Sequence, residues 1–460
     1  MQKIRRVASL LLLVPLATVG LLSFQRENVA SQGTRAQDPG VRGDPAGAGD
    51  PIAGLTDHQR EYFLAAKAEF EEEDTVAEGL GPRLNLDSCS GCHFQPAIGG
   101  TSPAVNPQVA MATKDGGTDA VPSFITADGP VREARFVQNR DGTADGGVHA
   151  LFTINGRTGA GSCNLTQPDF ETQLANRNVI FRIPTPTFGL GLVEQVSDSA
   201  ILANMTKSGP AKRAFGIHGR ANFAVAGRTV SGQTNKNGND GTIARFGWKA
   251  QNKSLLIFSG EAYNVEMGIS NELFQTERDE TANCLFASHP NNTTNMEATS
   301  TIEAISAIEK FALFMRLLAP PVPSPDTPGG AGSISNGSRI FNTAGCVYCH
   351  TASFTTGNSA IAALRNQPVN LFSDLLVHDM GVGLADRISQ GQAGPREFRT
   401  APLWGLGQRI FFLHDGRTSD LVAAILAHRS SGSEANAVVE NYQNLSESQK
   451  RDLLNFLRSL

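Results

Sequence analysis

Cys89-Ser-Gly-Cys92-His93 and Cys346-Val-Tyr-Cys349-His350 are the two strings that decide how this chain reads. Two thiols two residues apart can add to the two vinyl groups of a haem, and the adjacent histidine then faces the iron. Chance would place such a string only roughly 0.0015 times in a chain with this cysteine and histidine content, yet it occurs twice. The competing uses are a redox disulfide and half of a zinc site. Zinc usually draws its ligands from one compact knuckle, whereas these strings lie far apart in the chain. The pattern therefore predicts two covalently bound haem c groups, held by Cys89 and Cys92 and by Cys346 and Cys349. His93 and His350 are the expected metal ligands.

Working outward from the strings, each is preceded by a helical pattern. Thr56 with Gln59 makes a capping box, and Phe63, Ala66 and Phe70 then fall on one helical face. The second string follows a short helix expected to begin at residue 338. The chain closes with another capping box, Ser446 to Gln449, whose helix carries Leu453, Leu454, Leu457 and Leu460 on one face. Between the halves lies a run with prolines at 320, 321, 323, 325 and 328 that forbids a helix. These marks predict an N-terminal haem c domain over residues 55–319, a Pro/Gly-rich linker over 320–337, and a C-terminal cytochrome c-like haem domain over 338–460. The expected fold class is mainly α, two cytochrome c-like haem domains with long loop-rich insertions in the first.

The N-terminus reads as an address. Lys3, Arg5 and Arg6 precede an apolar run from Val7 to Phe24, which is the pattern of a secretory signal. The run is just long enough to leave an uncleaved membrane anchor open. Residues 1–31 are thus a signal peptide or anchor and 32–54 a flexible, Gly/Ala/Asp/Pro-rich linker. The expected location is periplasmic or otherwise exported, with a possible membrane tether through the N-terminus. Over the 460 residues, 39 Lys and Arg against 44 Asp and Glu give a net charge of -5. That weak acidity argues against nucleic acid as a partner. With 40% hydrophobic and 18% charged residues, the chain is globular, neither disordered nor a multi-pass membrane protein. The two cysteines outside the strings, Cys163 and Cys284, are expected to pair in an oxidising compartment. The alternative is two buried free thiols.

Further strings resemble known proteins. Phe398-Arg-Thr-Ala-Pro-Leu403, Phe412-Leu-His-Asp-Gly-Arg417 and Asp420-Leu421 resemble the C-terminal haem domain of bacterial di-haem cytochrome c peroxidases. Gly79-Leu-Gly-Pro-Arg83, Asn239-Asp-Gly-Thr242, Arg245-Phe-Gly-Trp-Lys-Ala250 and Leu376-Val-His-Asp-Met-Gly381 resemble more closely the di-haem c-type oxidoreductases labelled thiol oxidoreductase or peroxidase. The resemblance runs from about residue 55 to the end. Haem-dependent rubber oxygenases share the layout more distantly.

The resemblance implies a division of labour: one haem meets a small oxidant such as peroxide, and the other relays electrons from a donor protein such as a small cytochrome. In the peroxidases a residue fourteen positions after the histidine of the His-Asp-Gly motif is the sixth ligand of the C-terminal haem, usually methionine. Here that position is His428, as in the rubber oxygenases, which implies a bis-histidine haem of lower potential. The alternative for His428 is a helix-surface histidine, with His378 and Met380 as fallback ligands. No histidine follows His93 closely; His149 and His218 are the only later candidates in that half before its acidic segment. Glu266-Met267-Gly268 resembles the peroxidase string whose glutamate sits over the reactive haem and shuttles the proton of peroxide. The alternative is a surface glutamate on a helix over 254–267. Phe258 stands near the position where the peroxidases carry a glutamine, and would make the pocket drier. Trp248 matches the tryptophan between the haems, though both tryptophans, Trp248 and Trp404, could simply be core. The 237–241 loop faintly resembles the calcium loop of the peroxidases but lacks regularly spaced carboxylates.

These readings make catalytic candidates of Glu266, Trp248 and Phe258. Two rivals stay open: an electron-transfer cytochrome without its own substrate, and a haem oxygenase acting on an organic molecule. A thiol oxidoreductase is disfavoured, since no cysteine pair is left over once haem attachment and the disulfide are assigned.

Overall fold

The computed structural model of the protein describes residues 35–223, 229–230, 233–234 and 243–460. The signal or anchor at 1–31, the 237–241 loop and the Asn239–Thr242 string lie outside the described residues. No helix among the described residues is long and apolar enough to cross a membrane.

Helices occupy about one third of the chain. The first runs Asp57–Glu71, opened by the expected Thr56/Gln59 capping box, and it buries Phe63, Ala66 and Phe70. It packs against the Ala307–Leu317 helix, where Phe70 and Phe314 stand 4.7 Å apart between ring centres. That second helix follows a separate short turn, Thr301–Ala304, because Ser306 and Glu309 form a capping box that restarts the backbone. The Leu255–Met267 helix packs on Ala307–Leu317 in turn and buries most of its residues.

In the C-terminal part, the Gly330–Ala344 helix packs on the closing helix Glu447–Ser459. It starts earlier than the predicted residue 338, because the proline run ends at Pro328 and Gly329 takes a left-handed conformation before the first turn. The two helices approach at Gly337, where a β-carbon would lie 2.0 Å from the Asp452 carbonyl oxygen, so only glycine fits. The closing helix has its expected Ser446/Gln449 box and buries Leu453, Leu454 and Leu457.

Strands are the departure from the mainly α expectation. Glu133–Gln138 lies between Ala144–His149 and Val179–Arg182 in a three-stranded antiparallel sheet, and five two-stranded pairs are scattered through the loops. Sequence alternation is weak there. Ala144–His149 contains two glycines and a bulge interrupts its pairing.

Residues 36–460 form one compact unit. A large core gathers Phe63, Leu84, Phe152, Phe188, Leu255 and Phe314, and it continues past the proline run into Leu364, Leu371, Leu376 and Trp404. A smaller core holds Phe341, Phe412, Leu421, Leu454 and Leu457. The segment expected to be a flexible linker departs from that expectation from residue 36 onward. Ala36 and Arg42 are buried, Asp38 pairs with Arg458 at 2.6 Å, and Arg42 donates to the Ser459 and Val322 carbonyls at 2.9 and 2.8 Å. Composition misled because glycine and proline fix turns as readily as they loosen a chain. Cys163 and Cys284 form a disulfide, with Cα atoms 4.6 Å apart.

Candidate functional site

Each Cys-x-x-Cys-His string folds as one tight turn. Ser88 caps the first, accepting from Gly91, and the His93 amide reaches the Cys89 carbonyl at 3.0 Å. In the second, the His350 amide reaches the Cys346 carbonyl at 2.9 Å. A turn of this kind sets both thiols and the ring on one side. The four cysteines are free thiols, and burial pushes Cys89 and Cys346 up, the latter to about 12. Each histidine ring rests against a phenylalanine from the preceding helix: Phe70 at 6.0 Å from His93 and Phe341 at 6.3 Å from His350.

Each string opens onto its own cavity. The first, of ≈ 160 Å³, is lined by Cys89, Cys92 and His93, with Trp248, Phe258, Tyr263, Glu266 and Glu133 among the facing walls. The second, of ≈ 220 Å³, is lined by Cys346, Cys349 and His350, with Trp248, His428, Met380 and Tyr442 among the others. Most of the remaining lining of both is apolar. The key groups lie deep in the molecule and yet keep accessible surface, because they face these cavities.

The histidine tautomers follow from their partners. His93 Nδ1 lies 2.9 Å from the Gly100 carbonyl oxygen, His350 Nδ1 3.0 Å from that of Phe372, and His428 Nδ1 2.7 Å from that of Ala424. A carbonyl only accepts, so Nδ1 carries the proton and Nε2 keeps its lone pair. Burial holds all three rings below the ordinary imidazole value, His350 at about 4. A neutral imidazole oriented through Nδ1 is the form that binds a metal. The lining thus fits the group its motifs imply: paired free thiols, an apolar slot and an oriented nitrogen, present twice.

The other candidates sort themselves. His378 is not available as a ligand: its nitrogens lie 2.7 Å from Glu434 and 3.0 Å from Asp374, and with Cys349 these partners overcome burial and hold the ring charged. Met380 lines the second cavity. His149 stacks on Phe136 at 3.8 Å and His218 is exposed, and neither lines the first cavity. Phe258 lines the first cavity together with Glu266. Trp248 lines both cavities, with Nε1 donating to the Ile183 carbonyl at 2.8 Å.

Glu266 is reached by the Asn85 amide at 2.8 Å and by the side chain of Glu133. Burial first, and then the neighbouring Glu133 charge, push it up to about 8. With the Glu133 side chain within hydrogen-bonding reach, the protonated form of Glu266 is favoured near neutrality. Glu133 escaped the sequence reading because it reaches Glu266 from a strand in a separate part of the chain.

Two apolar cavities of this composition, sharing one tryptophan in their walls, define a two-centre haem redox protein. Residues 143–460 match the model of the family described as "Di-haem oxidoreductase, putative peroxidase", and the chain belongs to this family. No curated protein sequence matches the chain. Among solved structures, it is similar to hydrazine synthase of Kuenenia stuttgartiensis (18% identity over 35% of this chain and 56% of that one, TM-score 0.22). It is also similar to the diheme peroxidase BthA of Burkholderia thailandensis (14% identity, 47% and 65%, TM-score 0.28). A third likeness is to a MauG-like protein associated with microbial copper homeostasis (19% identity, 60% and 90%, TM-score 0.29). The chain spans less than two thirds of the length of the first two.

Proposed function

We propose that this is an exported di-haem c oxidoreductase that reduces peroxide in the first cavity with electrons delivered through the second. Cys89 and Cys92, with His93, would hold one haem; Cys346 and Cys349, with His350 and His428, would hold the other, as two haem domains built on residues 55–319 and 338–460. When bound, the two haems supply the two electrons that cleavage of an oxygen–oxygen bond requires. The protein's own residues supply the rest. The observation that carries the reading is the Glu133–Glu266 pair in the cavity of His93. Glu133 can accept a proton from peroxide while Glu266 donates one to the departing oxygen, so a single pair both takes and gives. Asn85 holds the Glu266 carboxyl from behind. Phe258, Phe70 and Phe311 keep the space apolar. Trp248 places an indole in the wall common to both cavities, where an electron relay belongs. A small cytochrome outside the inner membrane is the natural donor, and residues 1–31 would carry the chain there.

Glu266→Gln preserves shape and removes the titrating group. Peroxide turnover is expected to fall about 10²–10³-fold, with haem content by mass unchanged; undiminished turnover would remove Glu266 from the mechanism. Phe258 favours a second reading, oxygenation of an apolar organic molecule. Dioxygen uptake stimulated by apolar substrates, without a peroxide response, would select it.

A further inference from the structure

Most buried arginines in this molecule pair with an acid, and Arg157 instead gives all three of its side-chain nitrogens to backbone carbonyls at 2.6–3.1 Å. Arg182 pairs with Asp386 at 2.7 Å, Arg458 with Asp38 at 2.6 Å, Arg135 with Asp145 at 2.7 Å, and Arg245 contacts Asp198. Arg399 and Arg409 do not. They are 8% and 7% exposed, and no carboxylate pairs with either among the described residues. Their hydrogen bonds go to backbone oxygens alone: Arg399 Nε to Gly247 at 2.9 Å, Arg399 Nη1 to Thr400 at 3.4 Å, and Arg409 Nη2 to Pro402 at 3.4 Å. Both line the second cavity and a small adjoining space of ≈ 20 Å³ that also touches Trp248 and Phe258. Neither lines the first cavity, whose arginines are Arg132 and Arg182.

An unpaired buried cation is costly to the fold, and two in one wall repel each other as well. Burial and neighbouring guanidinium groups pull both below the ordinary arginine value, to about 10. A fold tolerates that arrangement when an anion completes it, and the planar fork of a guanidinium matches a carboxylate best.

We propose that Arg399 and Arg409 form the carboxylate cradle of the second cavity and bind the propionate groups of the haem attached at Cys346 and Cys349. This rests on the reading that a haem occupies that cavity. The cradle neutralises the propionates and favours the extra electron on that haem rather than on the other.

Mass spectrometry of the mature wild-type chain comes first: absence of two haem additions would remove the functional reading and the cradle together. With both haems attached, spectroelectrochemical titration is carried out on Arg399→Gln, Arg409→Gln and the corresponding lysine variants. The midpoint of the haem at His350 is expected to shift to lower potential in both glutamine variants and to become pH-dependent near neutrality as the propionates begin to titrate. The lysine variants, which keep the charge, should recover most of the shift. The two positions are titrated separately, so either glutamine variant keeps the test decisive if the other fails to fold. Unchanged midpoints in all variants, or a shift confined to the haem at His93, would overturn the assignment while leaving the two-haem reading intact.

Discussion

At the residue scale, the pair Glu133 and Glu266 concentrates the chemistry. Glu266 stands at about 8 because burial and the Glu133 charge both oppose its ionisation. Glu133→Gln removes that charge but none of the burial, so the Glu266 value falls toward its ordinary one. The pH profile of kcat/KM for peroxide should then move to lower pH, with turnover above neutrality the most reduced. A profile that stays in place would show that Glu133 does not raise Glu266. The same scale shows what the amino-acid string reveals. His93, His350 and their cysteines are legible because their partners are local. His428 is legible through its distance from His414 in the chain. Glu133, and the missing partners of Arg399 and Arg409, are not legible, because whether a side chain has a partner is a property of three-dimensional neighbours. Arg399 sits inside a string that resembles the peroxidases and still gave no sign of its isolation.

At the element scale, the Leu255–Met267 helix carries Phe258 and Glu266, and its end fixes where Glu266 points. Gly268 closes the helix with φ +76° and its amide bonded to the Tyr263 carbonyl. A β-carbon there would stand 2.4 Å from the Arg83 carbonyl oxygen and 2.8 Å from that of Gly81. Gly268→Ala would combine left-handed strain with a backbone clash, since neither carbonyl is a flexible side-chain end. A loss of at least about 1–2 kcal/mol is expected, measured by chemical denaturation. A smaller loss would mean that the Arg83 strand yields easily. Helices with capping boxes, Asp57–Glu71 and Glu447–Ser459, were readable because start signal and apolar stripe coincide. The three-stranded sheet was not: Glu133–Gln138 takes its stability from neighbours on both sides, which no local pattern announces.

At the scale of the whole molecule, distant segments hold one another. The disulfide ties Cys163 to Cys284, and Asp38 reaches both Arg458 and the Leu421 amide near the other end of the chain. The carboxyls divide into two groups with opposite effects on stability. Asp38, Asp386 and Glu434 are held low by the Arg458, Arg182 and His378 cations against the cost of burial. Their contribution is present above the unfolded value and is lost as pH falls through the folded one. Asp74 and Glu277 are instead pushed up to about 8, by burial first, with Glu72 adding to the shift at Asp74 and Glu280 at Glu277. Between their ordinary values near 4 and about 8, the folded state binds more protons than the unfolded one, so stability falls as pH rises across that window. The two groups together place the maximum on the mildly acidic side. Glu277→Gln keeps an uncharged side chain at a half-buried site and removes one source of the decline. The variant should match the wild type near pH 5 and exceed it by about 1–2 kcal/mol near pH 8, after allowing for solvent screening at a partly exposed group. Denaturation midpoints at the two pH values read this directly, and equal gaps at both would show that Glu277 is already ionised in the folded protein.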